Sequence, residues 1–168
     1  VVGGSLGARS VNEAISAGLD ELLGAGLQLI WQTGKPYANT ARELVKGKSG
    51  IWVNDFITQM EFAYAAADIV VARSGAMTVA ELCVARKPVV FVPYPFAAED
   101  HQTVNAQQLV NKKAAMLVKD NEVMPMLIKT TIGLAKDEAR QAELKANIAT
   151  LAITDADEVV ADEILKLI

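Results

Sequence analysis

The sequence ADIVVARSGAMTVAE, residues 67–81, contains a strand, a tight connection and the start of a helix within one short stretch. Residues 69–72 are apolar and mostly β-branched, which is typical of a strand that helices cover on both faces. Arg73, Ser74 and Gly75 form the connection, and small residues follow it at the mouth of the helix. A strand followed at once by a helix predicts one βα unit of a parallel sheet.

The same alternation of strand and helix patterns continues on both sides of this stretch. Apolar runs predict four further strands, at residues 27–32, 50–53, 89–93 and 115–118, and Val1 with Val2 predicts the end of another. After residue 118 the pattern is helical, with predicted helix starts at Pro125, Asp137 and Asp155. The predicted fold class is therefore α/β, a parallel sheet of about six strands with helices on both faces and a helical C-terminal tail. One domain over residues 1–168 is expected for this length.

Composition restricts the kinds of partner and chemistry. Asp and Glu total 20 and Lys and Arg total 16, so the net charge of −4 argues against a nucleic-acid or anionic-membrane surface. Because Cys83 and His101 are the only cysteine and histidine, an internal disulfide, a cysteine-rich zinc site and a histidine pair for a metal are excluded. No apolar run reaches the roughly 20 residues that cross a bilayer, and no signal peptide is recognised. We therefore expect a cytoplasmic protein with Cys83 packed in its core.

A glycine-rich turn, GGSLGA at residues 3–8, opens a helix at Ala8. Glycines let the backbone approach a ligand closely, and a helix N-terminus favours phosphate through its free N–H groups and positive dipole end. The alternative is a tight turn that binds no ligand. Only Val1 and Val2 precede this turn, whereas a strand usually has about 5–6 residues, so we expect the chain to be a piece of a longer protein.

Loops that follow the strands are where an open parallel sheet binds its ligand. In the loop after residues 69–72, the N–H groups of residues 75–78 are candidates to hold a diphosphate, and Glu81 is a candidate to accept from two vicinal ribose hydroxyls. Arg73 is either a phosphate partner or a member of a structural ion pair. Glu81 is alternatively an exposed acid favoured by the helix start.

The loop at residues 94–106 carries polar side chains that suit a sugar. His101, Gln102 and Asn105 together offer donors and acceptors to hydroxyl groups. Alternatively, Asp100 only caps the next helix and His101 is a solvated loop residue.

A fourth loop, residues 54–57, offers a backbone edge that is able to read a nucleobase. The preceding strand, residues 27–32, ends in Gln32, at a point where an NAD-binding domain usually places an acidic residue for the ribose. A nicotinamide cofactor is therefore disfavoured.

Taken together and in this order, the four loops resemble the C-terminal domain of the MurG family of bacterial N-acetylglucosaminyltransferases. The stretches that carry the resemblance reach from residue 3 to residue 109: GGSLGARSVN at 3–12, QTGK at 32–35, FI at 56–57 with Met60, ADIVVARSGAMTVAE at 67–81, KPVVFVPYP at 87–95 and EDHQTVNAQQL at 99–109. The resemblance implies one half of a GT-B fold, in which a Rossmann-like C-terminal domain holds UDP-N-acetylglucosamine (UDP-GlcNAc).

The same resemblance implies which residues contact each part of this donor. Ser5 would contact the diphosphate, Ile57 the uracil through its backbone, and Glu81 the ribose. Contacts to the phosphates and to the sugar would be made by Ala76, Met77, Thr78, Gln102 and Asn105, with His101 standing where some members have glutamine. The residues that would support the phosphates are Gly4, Arg73 and Gly75.

The resemblance also implies the reaction of the whole enzyme, which transfers GlcNAc with inversion to the C4 hydroxyl of the muramoyl sugar of lipid I. The product is lipid II, a precursor of peptidoglycan. No metal and no cofactor are expected, because helix N-termini at the two glycine turns would stabilise the leaving UDP.

The family's N-terminal domain, with its acceptor site, presumed catalytic base and membrane-contacting patch, is expected to be missing from this chain. No catalytic residue is therefore expected here, and the chain alone would bind UDP-GlcNAc or UDP without transferring the sugar. Lipid I and the cytoplasmic face of the inner membrane would be reached only through the other domain. Two alternatives are another GT-B-like enzyme, such as a UDP-GlcNAc 2-epimerase, and a Rossmann-like NAD-binding domain.

Overall fold

The structure, a computed structural model, describes residues 1–4 and 6–167. Within these residues five strands alternate with helices along most of the chain. The strands are β1 (Leu29–Gln32), β2 (Ile51–Asn54), β3 (Val70–Ala72), β4 (Val89–Phe91) and β5 (Met116–Leu117). The helices are α1 (Arg9–Ala17), α2 (Leu19–Gly24), α3 (Ala38–Leu44), α4 (Met60–Ala66), α5 (Ala76–Ala85), α6 (His101–Asn111), α7 (Val123–Lys136), α8 (Glu138–Ala149) and α9 (Ala156–Leu165).

All the paired strands run parallel, as predicted. β1 pairs with β2, and β4 lies between β3 and β5. Val2 joins the two groups because it bridges Gln32 on one side and Ala72 on the other. The order across the molecule is therefore β2, β1, Val2, β3, β4, β5.

The number of strands is smaller than predicted. Among the described residues there are five, and Val2 occupies the place of the sixth as a single bridging residue. The reason is local, since the chain pairs on both sides at one residue before Gly3 enters the turn. Each of the five strands overlaps a predicted range.

Both faces of the sheet are buried under helices. Val71 and Val90 belong to one apolar cluster, with side chains of α1 and α7. Their strand neighbours Val70 and Val89 belong to a second cluster, with side chains of α4, α5 and α6. This alternation of side chains confirms the prediction of helices on both faces, and Cys83 lies in the second cluster as expected.

The C-terminal part is helical, also as predicted. The Asp137 side chain caps α8 by accepting a hydrogen bond of 2.9 Å from the backbone N–H of Arg140. α7 begins at Val123, so Pro125 lies in its first turn, where its missing N–H has no helical partner to lose. Within the described ranges, no helix combines the length and apolar character of a membrane span.

Candidate functional site

The strand order reverses direction beside Val2. From Val2 the chain builds outward to β1 and β2 on one side, and from β3 to β4 and β5 on the other. An open parallel sheet binds ligands in the crevice beyond the carboxyl ends of its strands at such a point. Residues 3–7 follow Val2 and residues 73–75 follow β3, so both glycine turns border this crevice.

The first turn rests directly on the backbone that follows β1. A Cβ added to Gly7 would lie 2.2 Å from the Thr33 carbonyl oxygen, and one added to Gly34 would lie 2.3 Å from the Gly7 nitrogen. Both glycines also have positive φ, at +78° and +74°. Only glycine fits this approach of two backbones, which gives the GGSLGA and QTG motifs one shared structural reason.

The first turn leads into α1 without a side-chain cap. Ala8 precedes the helix and provides no side-chain hydrogen bond to its N-terminal N–H groups. Gly4 is exposed, and Ser5 lies outside the described residues. The turn therefore directs the backbone N–H groups of a helix N-terminus toward the crevice.

The second turn also opens a helix without a side-chain cap. Gly75 precedes α5, whose first residues Ala76 and Met77 are exposed while Thr78 is partly buried. Ser74 is fully buried and anchors the turn to α6. Its hydroxyl donates to the Gln102 carbonyl over 2.7 Å. The two uncapped helix N-termini thus lie at neighbouring strand ends.

Gln102 and Asn105 use one side-chain atom each to hold the second turn. Gln102 Oε1 accepts from the backbone N–H groups of Ser74, at 3.3 Å, and Tyr94, at 3.0 Å. Asn105 Nδ2 donates to the Ser74 carbonyl over 3.1 Å. The opposite atom of each amide, Gln102 Nε2 and Asn105 Oδ1, makes no hydrogen bond within residues 1–4 and 6–167.

His101, by contrast, lies exposed at the first position of α6. Its Nδ1 is 2.7 Å from the Ala98 carbonyl oxygen.

Arg73 joins elements rather than pointing an unshared group into the crevice. Its Nη1 donates to the carbonyls of Val92 and Pro93 and to Asp120, and its Nη2 donates to Ser10 Oγ over 3.1 Å. The guanidinium also lies over the Tyr94 ring, 5.5 Å from its centroid. Of the two roles that the sequence left open, the contacts of Arg73 match the structural ion pair.

Glu81 is exposed on α5 and is held by a buried tyrosine. Tyr64 on α4 donates its hydroxyl to Glu81 Oε2 over 2.9 Å, and its residue is only 8% exposed. Burial first, and then the hydrogen bond to Glu81, raises the pKa of the Tyr64 phenol, so the hydroxyl remains a donor at neutral pH.

Ile57 and the first turn are connected through one side chain. Gln32 is 3% exposed, and its Oε1 accepts from the Ile57 N–H over 2.9 Å. Its Nε2 donates to the Gly4 carbonyl over 3.1 Å. Among the described residues the Ile57 carbonyl accepts no hydrogen bond, so the backbone edge at Ile57 presents an acceptor.

Three residues at the site were not predicted as functional: Gln32, Ser74 and Tyr64. Gln32 had a detectable signal, because a polar residue ends an otherwise apolar buried strand and must find partners there. Ser74 lies in the turn motif but contributes through buried bonds to a distant helix. Tyr64 carries no sequence signal, since an aromatic residue on an apolar helix is usually part of a core.

The doubly wound sheet, with its crevice at the reversal of strand order, defines the Rossmann-like half of a GT-B fold. The family model described as the glycosyltransferase family 28 C-terminal domain matches residues 1–160. The chain belongs to this family.

Similar proteins agree with this assignment. The chain is 45% identical over 170 residues to a UDP-N-acetylglucosamine–N-acetylmuramyl-(pentapeptide) pyrophosphoryl-undecaprenol N-acetylglucosamine transferase of Parabacteroides distasonis, covering 100% of this chain and 46% of that protein. A protein of the same name from Porphyromonas gingivalis is 46% identical, with 45% of its length covered. The chain therefore spans about half the length of the curated relatives it matches.

Solved structures give the same result. The crystal structure of Acinetobacter baumannii MurG superposes with a TM-score of 0.85 at 32% identity, covering 98% of this chain and 48% of that one. The glycotransferase of kitacinnamycin, at 21% identity and a TM-score of 0.65, shares the fold.

Proposed function

We propose that this chain is the donor-binding half of an N-acetylglucosaminyltransferase and that it binds UDP-GlcNAc at the crevice beside Val2. The observation that carries the proposal is the pair of uncapped helix N-termini, α1 and α5, at adjacent strand ends. Each end offers N–H donors and a positive dipole end, which together suit the two phosphates of a nucleoside diphosphate. Ser5, Gly4, Gly75, Ala76, Met77 and Thr78 are the proposed phosphate-side contacts.

The polarity of the remaining groups suits the other parts of the donor. The Ile57 carbonyl is an acceptor for the N3–H of uracil, and the Glu81 carboxylate is an acceptor for the ribose diol. Gln102 Nε2 supplies a donor and Asn105 Oδ1 an acceptor for the hydroxyls of GlcNAc, with His101 beside them. Arg73 acts by fixing the strand ends on which these contacts depend.

In the proposed reaction the bond between the anomeric carbon and the β-phosphate oxygen breaks, and a bond to the acceptor oxygen forms on the opposite face. The departing UDP keeps the electron pair of the broken bond. The helix N-termini stabilise this growing charge because their dipoles are already oriented before the reaction.

The acceptor is proposed to be lipid I, attacked through its C4 hydroxyl, and the proton of that hydroxyl passes to a base outside this chain. Contact with the cytoplasmic face of the membrane is likewise assigned to the other half of the enzyme. The support for this is the name shared by relatives that are about twice as long as this chain.

Calorimetric titration with UDP, UDP-GlcNAc and NAD tests the binding proposal. We expect UDP and UDP-GlcNAc to bind, NAD not to bind, and lipid I not to be converted by this chain alone. Binding of NAD without UDP would favour the nicotinamide alternative, and epimerisation or hydrolysis of UDP-GlcNAc would favour the epimerase alternative. Measurable lipid II synthesis would contradict the assignment of the base to the other half.

A variant at the ribose site sharpens the test. Glu81→Ala is expected to weaken UDP binding about tenfold or more, since it removes a charged acceptor of two hydroxyl hydrogen bonds. The matched control is Glu158→Ala, which removes an exposed helical acid on α9 and is expected to leave the affinity unchanged. The thermal midpoint of E81A should stay close to that of the unmodified chain, because Glu81 is exposed.

A further inference from the structure

Tyr64 lies where the base and ribose parts of the proposed site meet. It occupies α4, one helical turn after Met60, and α4 starts directly after the loop that carries Ile57. Ile57, Met60 and Tyr64 line one small cavity. The hydroxyl of Tyr64 leaves this cavity region to reach Glu81 Oε2 on α5, 2.9 Å away.

The two partners differ strongly in freedom. The Tyr64 ring packs in the apolar cluster with Leu82 and Cys83, so its position is fixed by the core. Glu81 is exposed, and three rotatable bonds leave its carboxylate free to adopt many positions. A hydrogen bond from a fixed donor to a mobile carboxylate restricts the carboxylate and has little effect on the donor.

The bond leaves Glu81 able to accept more hydrogen bonds. A carboxylate has about four acceptor positions, and Tyr64 uses one of them. The remaining positions suffice for two hydroxyls of a diol.

We propose that Tyr64 is a positioning residue that fixes the Glu81 carboxylate for the ribose hydroxyls and thereby contributes to the preference of the site for ribonucleotides. This inference rests on the proposed function, because it assumes that Glu81 receives the ribose. Tyr64 itself touches no part of the donor in this proposal. Its contribution is to remove the entropy cost of ordering Glu81 when the ligand binds.

The test measures the affinities of UDP and 2′-deoxy-UDP for the unmodified chain and for Tyr64→Phe. Y64F keeps the buried ring and removes only the hydroxyl. We expect UDP to bind about fivefold more weakly to Y64F, the effect of about one net hydrogen bond, while 2′-deoxy-UDP loses clearly less. The ratio of the two affinities therefore falls, which a general loosening of the fold would not produce.

Two further variants make the outcomes distinct. Tyr37→Phe is the matched control, since it removes a hydroxyl that bonds Ser16 Oγ over 2.9 Å at the far end of α1, and its affinity ratio should not change. Glu81→Ala should bring the ratio close to one, and adding Y64F to E81A should have no further effect.

Equal losses for both ligands in Y64F, or no loss for either, would overturn the positioning role of Tyr64. If E81A keeps the ratio of the unmodified chain, or if the unmodified chain does not bind UDP, the proposed function itself fails. Should Y64F not fold, Glu81→Gln replaces it. Its amide oxygen still accepts from Tyr64, so a ratio that falls no further than halfway toward that of E81A supports the proposal, and a ratio equal to that of E81A opposes it.

Discussion

Replacing Gln32 tests how the first turn and the uracil loop are connected. Gln32→Met preserves the approximate volume of this buried side chain and removes both hydrogen bonds, to the Ile57 N–H and to the Gly4 carbonyl. Ile57 is 6% exposed, so its N–H has no access to water once the partner is lost. Gly4 is exposed, so its carbonyl regains a water molecule.

The expected cost follows from this difference. One buried donor without a partner destabilises a fold by about 1–3 kcal/mol, and an exposed carbonyl adds little. We therefore expect Q32M to lower the free energy of unfolding by about 2 kcal/mol. UDP should also bind several-fold more weakly, because the Ile57 backbone is no longer held in one position.

Urea unfolding, followed by circular dichroism, measures the first effect. Gln108→Met, which makes the same change at an exposed position of α6, is the matched control and should leave the urea midpoint unchanged. A midpoint for Q32M equal to those of Q108M and the unmodified chain would refute the reasoning, since the two hydrogen bonds would then contribute nothing to stability.

Gln32→Glu adds a pH signature. When protonated, a glutamic acid can both accept from Ile57 and donate to Gly4, as glutamine does. When ionised, it is a buried charge that has lost the donor, so the pKa of this carboxyl should rise above its ordinary value of about 4.3. The stability deficit of Q32E relative to the unmodified chain should therefore be small near pH 4 and grow as the pH rises to 7.

Two other predictions concern the backbone around the first turn. Burial lowers the pKa of the Val1 amine from its ordinary value of 8.0 to about 5, so unfolding takes up a proton between these values. A chain that begins with this amine should gain up to about 4 kcal/mol of stability as the pH rises through this window, and N-acetylation should abolish the gain in urea titrations. Gly34→Ala should cost at least about 3 kcal/mol in the same assay, through its positive φ and its approach to Gly7, whereas Gly24→Ala, with open space around it, should not destabilise the chain.

The fold was predictable from the sequence because strand burial leaves a one-dimensional signal. Residues 69–72 and 89–93 are continuous apolar runs, and a strand covered on both faces needs nothing else. The positions of the two glycine turns followed from the same pattern, since each comes directly after such a run. The single bridge at Val2 was overestimated as a strand because pairing at one residue does not register as a ladder.

The site was less predictable, because its side chains are engaged by backbone groups far away in sequence. Nothing in the sequence near Ile57 indicates that its N–H is taken by Gln32, or that Gln102 Oε1 is used by Ser74 and Tyr94. Periodicity identifies which face of an element is buried, but it carries no information on which polar atoms meet across the sheet. The donor-site residues named from the motifs therefore stay predictions until titrations test them.

The contact between Gly7 and Gly34 has a consequence for protein engineering. Because two main chains touch there without intervening side chains, no substitution in one segment is able to compensate a displacement of the other. Chimaeras that exchange donor-binding loops between related transferases should therefore transfer residues 3–8 and 32–35 as one unit. A junction placed between these segments combines backbones that were never fitted to each other, and we expect such hybrids to fold poorly even where every exchanged residue is individually tolerated.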